Sequence, residues 1–127
     1  MADINVLIVV DTKTTLAGTT TVYMEDDNPG DDTGEGTSEL HINASPGDKI
    51  IWRATSINQS DTIDLSEFVD NSGQVFSPAP TKNTSDGSWS GTVGNFPADT
   101  TESYTFRFKI NGGSQKYSWD PEIKIKT

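Results

Sequence analysis

Three short segments limit what this chain can fold into: Ile4-Asn-Val-Leu-Ile-Val-Val-Asp11 near the start, Gly47-Asp-Lys-Ile-Ile-Trp-Arg53 in the middle, and Tyr117-Ser-Trp-Asp-Pro121 near the end. Each sets apolar residues at strand spacing beside a turn former, so both ends of the chain belong to one sheet structure. The run Val6–Val10 is apolar at every position, which predicts a central strand buried on both faces. It is too short to span a membrane and lacks the flanks of a signal peptide, so no membrane partner and a cytoplasmic location are expected.

Strand signals continue between these segments. Thr19–Met24 is rich in Thr and Val, and Leu40 and Ile42 alternate with Glu39, His41 and Asn43. After the turn Ser45-Pro-Gly-Asp48, Ile50, Trp52 and Ala54 point one way, with Trp52 expected in the core. Trp89–Val93 reads as a short strand. Tyr104, Phe106, Phe108 and Ile110 alternate cleanly with Thr105, Arg107 and Lys109. Asn111-Gly-Gly113 then predicts a hairpin into Lys116–Trp119, and Ile123 and Ile125 form a last strand whose lysines suit an exposed edge. Helical signal is thin: Asp61–Val69, with Ile63, Leu65 and Phe68 at mixed spacing, fits one helical turn or an irregular strand. The expectation is all-β: a single domain over residues 1–127, a two-sheet antiparallel β-sandwich of Ig-like or jelly-roll kind with about eight strands. Ile4–Val10 and Tyr104–Ile110 should be central strands.

Composition excludes several function classes. Leu, Ile, Val and Phe total only 26 of 127 residues, but they sit in alternating runs that a disordered chain would not maintain. The net charge of -10 would repel a phosphate backbone, so no nucleic-acid partner is expected. There is no cysteine, hence no disulfide, thiolate metal site or cysteine nucleophile. His41 is the only histidine and lies on the face opposite Leu40 and Ile42, which suits a solvent-facing residue better than a catalytic base. Asp48, Asp61, Asp64, Glu67, Asp70 and Asp120 include no pair that the sequence singles out for glycoside hydrolysis. No catalytic residue is assigned.

Two features point to binding. The acidic loop Glu25–Glu35 clusters Asp26, Asp27, Asp31 and Asp32, oxygen ligands of the kind calcium takes, although the spacing does not match an EF-hand. Read as a solvated loop it needs no cofactor; read as a metal site it holds calcium. Trp89, after a long polar loop, and Trp119, before Asp120-Pro121, could stack on a pyranose ring while Asp120 holds hydroxyls. Alternatively both rings are partly buried packing residues.

With these segments in order, the chain resembles the PixA/AidA family of bacterial inclusion-body proteins. The resemblance rests on the opening strand ending in Asp11-Thr12, on Pro46-Gly-Asp-Lys-Ile-Ile-Trp-Arg53, and on Tyr117-Ser-Trp-Asp-Pro121 with a strand after it. It implies a small, cytoplasmic, non-enzymatic protein from a family associated with crystalline inclusions or quorum-regulated expression, and it supplies no catalytic residues. The reading is therefore a protein acting by self-association, as a dimer, or by ligand binding. The alternative is a calcium-dependent, lectin-like carbohydrate-binding module with a glycan partner.

Overall fold

In the computed structural model, which describes residues 3–27, 36–38 and 40–125, the chain folds as two sheets packed face to face. The first sheet has the order β2 (Val22–Asp26), β1 (Asp3–Val10), β4 (Lys49–Ser56), β7 (Trp89–Thr92), β6 (Thr81–Lys82). The second has the order β3 (His41–Ala44), β10 (Glu122–Ile125), β8 (Thr101–Ile110), β5 (Ile63–Gly73), with β9 (Tyr117–Trp119) also paired to β8. One five-residue helix, α1 (Thr12–Leu16), follows β1. The Asp11 side chain caps it, accepting from the Thr14 amide.

The β-sandwich is as expected, with ten strands instead of about eight. β6 has only two residues, and the last apolar stretch is divided at Pro121 into β9 and β10. Phe106↔Trp119 and Ser103↔Glu122 keep one register against β8, and the Tyr104 amide still donates to the Pro121 carbonyl. Proline removes one donor without shifting the pairing.

The sheets are not purely antiparallel. β1 runs parallel to β4, and β10 parallel to β3. Both parallel pairs join strands separated by a passage through the other sheet, which frees them from the antiparallel pairing a hairpin imposes; β4 with β7 and β5 with β8 are separated in the same way and pair antiparallel.

β1 and β8 are central in their sheets, and Ile8, Ile50, Trp52, Phe106 and Phe108 are fully buried. Trp52 sits at the centre of an aromatic cluster, with ring centroids 5.1 Å from Phe106, 5.4 Å from Phe76, 5.7 Å from Tyr104 and 5.8 Å from Phe68. Asp61–Val69 resolves as the irregular strand. Register shifts between Leu65 and Glu67, so that Leu65 opposes Phe108 and Phe68 opposes Phe106. A bulge thus turns an i, i+3 spacing into two residues on one core face. The Asn111-Gly112 hairpin also forms, both residues at positive φ (53° and 70°).

β1 corrects one expectation. Ile4, Val6, Ile8 and Val10 face the core, but Leu7 is 44% exposed. The run is buried on one face only, because no element covers the outside of the first sheet among the described residues.

Candidate functional site

The residues singled out for binding are placed separately by the fold. Trp119 is 7% exposed, stacked on Phe106 at 5.8 Å and edge-on to Phe108, with its indole N–H directed at Met24 Sδ, 3.1 Å away. Trp89 is half-buried against Phe106, and its indole N–H donates to the Leu65 carbonyl across the two sheets at 2.8 Å. Both rings join the core or its margin, because a small sandwich with few apolar residues recruits its large aromatics for packing. Asp120, next to Trp119, is exposed.

In the acidic segment, Asp27 accepts from the Asn5 amide at 2.8 Å and from Asn5 Nδ2 at 2.9 Å. Those hydrogen bonds, the side-chain one foremost, hold its carboxyl below the usual range. Its carboxylate closes the end of the β1–β2 pair. Asp26 is half-buried at the end of β2. Asp31 and Asp32 lie outside the described residues. Among the described residues no group of three or more His, Cys, Asp or Glu side chains is arranged to hold a metal ion.

His41 lies half-buried on the outer face of the second sheet, its Nδ1 3.8 Å from the Glu122 carboxylate. Asp61 accepts from Asn111 Nδ2 at 2.8 Å and from the Thr12 hydroxyl at 2.6 Å. It thereby ties α1 to the β8–β9 hairpin, and these two bonds hold its acidity below the usual value.

One site that the sequence did not point to is built around Glu102. β5 ends at Gly73, opposite Glu102 and at φ 77°, where any Cβ would stand 2.0 Å from the Thr101 carbonyl oxygen. The chain then leaves the second sheet and brings the amides of Val75 and Phe76 onto Glu102 Oε1 at 2.7 and 3.2 Å. Phe76 goes on to pair with Val93 beside the first sheet. Glu102 is only 2% exposed, and burial pushes its carboxyl above the usual range despite the two amides; the Asp70 charge adds to the rise. It lines a cavity of about 190 Å³ together with Phe68, Asp70, Gln74, Phe76 and Pro80. The two-residue period of Thr101–Ile110 puts Glu102 on the inward face with Tyr104, Phe106, Phe108 and Ile110, an inward glutamate that the sequence analysis passed over. The position of Gly73, opposite Glu102, was a second hint.

A second feature is the outer face of the first sheet. Leu7 and Tyr23 are 44% and 40% exposed, Val9 and Ile51 are half-buried, and Ile57 extends the outward row of β4 at 57%. Across this face the register places Glu25, Leu7 and Arg53 in one row on β2, β1 and β4.

Comparison with known proteins fits this architecture. Residues 2–117 match the family described as Domain of unknown function (DUF8788), and the chain belongs to that family. Its fold is that of the inclusion body protein PixA from Burkholderia cenocepacia J2315: the TM-score is 0.73 at 18% identity, over 98% of this chain and 94% of that one. The resemblance to the PixA/AidA inclusion-body proteins thus holds in the structure. No curated protein matches the sequence. No helix among the described residues is long and apolar enough to cross a membrane.

Proposed function

We propose that this chain is a non-enzymatic, cytoplasmic protein of the inclusion-body type that acts by self-association, two copies meeting through the outer face of the β1 sheet. The observation that carries the proposal is that β1 has the sequence of a strand covered twice and the surroundings of a strand covered once. Leu7 and Val9, flanked by Tyr23 and Ile51, lie open on a face that burial would stabilise.

The charges on that face favour a second copy as the occupant. Glu25 and Arg53 flank Leu7 on opposite sides in one row. A two-fold axis along β1, in the plane between two copies, sets Leu7 against Leu7 and Arg53 of each copy over Glu25 of the other. An axis across the strands would instead set Glu25 against Glu25. The pattern therefore selects the arrangement in which the facing β1 strands run in the same direction. Strands of 5, 8, 8, 4 and 2 residues, about 3.3 Å per residue and about 4.8 Å apart, give a face of roughly 430 Å² per copy. Standard interfaces bury about 800 Å² a side, so the dimer should be concentration-dependent.

Sedimentation equilibrium over a wide concentration range tests this. The expected result is reversible dimerisation that Arg53→Glu weakens and that the double reversal Arg53→Glu with Glu25→Arg restores. A strict monomer at high concentration overturns self-association. Dimerisation indifferent to both reversals leaves self-association standing and removes this face from it. The lectin-like alternative has a separate test, a glycan array run with calcium and with chelator. Less supports it, since the Trp119 ring is enclosed and the Asp27 carboxylate is engaged by Asn5.

A further inference from the structure

The cavity beside Glu102 is unlike the rest of the acidic surface. Its carboxylate is almost wholly enclosed, and the hydrogen bonds from the Val75 and Phe76 amides both fall on Oε1. Oε2 accepts no hydrogen bond from any described residue, and it is not sealed away in the core. A half-satisfied enclosed carboxylate is costly unless something completes it. Asp70 lines the same cavity and is close enough to raise the cost of charge on Glu102, so two anionic groups share one recess. The remaining walls are apolar: the Phe68 and Phe76 rings, Ala79 and Pro80. Gly91 lets this wall lie flat on the first sheet, since a Cβ there would come within 2.8 Å of both Phe76 and Pro80.

Carboxylates and aromatic faces around one small recess are complementary to an organic cation. An ammonium group donates to, or neutralises, the carboxylates, while its alkyl groups rest against the rings, which attract positive charge. A strongly hydrated inorganic ion gains nothing from the apolar walls, and a neutral alcohol gains nothing from the paired charges. The cavity volume of about 190 Å³ is several times the ~30 Å³ share of a water molecule.

We propose that this cavity binds a small organic cation, a primary or quaternary alkylammonium, between the Glu102 and Asp70 carboxylates and the Phe68 and Phe76 rings. The proposal is independent of self-association, because the cavity lies between the two sheets at the end of β5 and not on the outer face of β1.

The probes are n-butylammonium and tetramethylammonium chloride, with 1-butanol as the neutral analogue and potassium chloride at matched ionic strength. Backbone amide NMR signals of Gln74, Val75 and Phe76 report occupancy. The wild-type protein should show saturable shifts centred on these amides, absent with butanol and with potassium chloride. Glu102→Gln keeps an oxygen to accept from Val75 and Phe76 while removing the charge, and it should weaken binding by about tenfold or more. Asp70→Asn, at an exposed position that does not threaten folding, should weaken it by a smaller factor and serves if the Glu102 variant does not fold. Shifts spread over the acidic surface, shifts reproduced by butanol or potassium, or equal affinity in the variants would each overturn the proposal.

Discussion

The two sheets share one core but present different outer faces. On the second sheet, charge is paired at nearly every turn. Glu67 on β5 takes both Arg107, at 3.0 Å, and Lys116; His41 lies beside Glu122, and Lys124 reaches Asp99 at 3.2 Å. Asn71 Nδ2 donates to the Thr105 hydroxyl at 2.7 Å on the same face. The first sheet carries Leu7, Tyr23 and Ile57 outward instead, and its central Arg53 donates to Asn5 at 3.3 Å and lies near the Asp86 carboxylate. A sheet facing water needs no more than alternation, apolar inward and polar outward. The second sheet follows that rule and the first breaks it along β1, which is why the first is the face to probe for a partner.

Four experiments test this contrast. The largest effect should come from the core beneath both faces. Phe106→Ala, at a fully buried ring, should cost about 3–5 kcal/mol in denaturant unfolding. A loss that small surface changes equal would mean the layers are misassigned. Next, Leu7→Glu should leave monomer stability within about 0.5 kcal/mol yet abolish dimerisation in sedimentation. The matching change on the other sheet, Arg107→Glu, should leave any dimer intact. If both variants act alike, the faces do not differ in function.

The third experiment is an acid titration of stability. The Lys116 hydrogen bond, with further help from Arg107, holds the Glu67 carboxyl below its usual range. A carboxyl lowered on folding contributes stability above its unfolded pKa and loses it as pH falls through the folded value. Glu67→Gln should therefore lower the melting temperature slightly at neutral pH and have no effect in strong acid. Glu102 has the opposite sign. Its raised pKa means that ionisation opposes folding, so its cost is fully present above the folded pKa and fades as pH falls towards the unfolded value. Glu102→Gln should flatten that part of the profile. A destabilisation that is the same at every pH would assign Glu102 a purely geometric role. The smallest effect concerns salt: moving from low to physiological ionic strength should strengthen dimerisation modestly by screening two chains of charge -10 from each other. Weakening instead would mean the Glu25–Arg53 contacts dominate.

Local alternation made most of the fold legible. Phe106, Phe108, Ile50 and Trp52 occupy the core because a two-residue period leaves them no other face. What was hidden depended on long-range pairing. The apolar run Val6–Val10 says that both faces of β1 avoid water, but not that only one of them is covered among the described residues. Leu65 and Phe68 looked ambiguous because a bulge imitates helical spacing. Parallel pairing of β1 with β4 leaves no local mark, and α1 is too short to show a period. For the candidate sites the same holds more strongly. The alternation of β8 turns Glu102 inward, but its meeting with the Val75 and Phe76 amides depends on the path of Gly73–Phe76 from one sheet to the other. Trp119, two residues before Pro121, could be read from the sequence as a sugar-stacking ring or as a packing ring, and the structure packs it on Phe106 with its indole N–H at Met24.

The parallel pairing of β3 with β10 joins His41 to Glu122, 81 positions along the chain. Such a contact forms only after most of the polypeptide has been ordered, and closing so long a loop is slow. During synthesis β3 waits, unpartnered on that side, until residues through Ile125 have left the ribosome. A nascent chain of this design is exposed to pairing with its neighbours for longer than one built of hairpins.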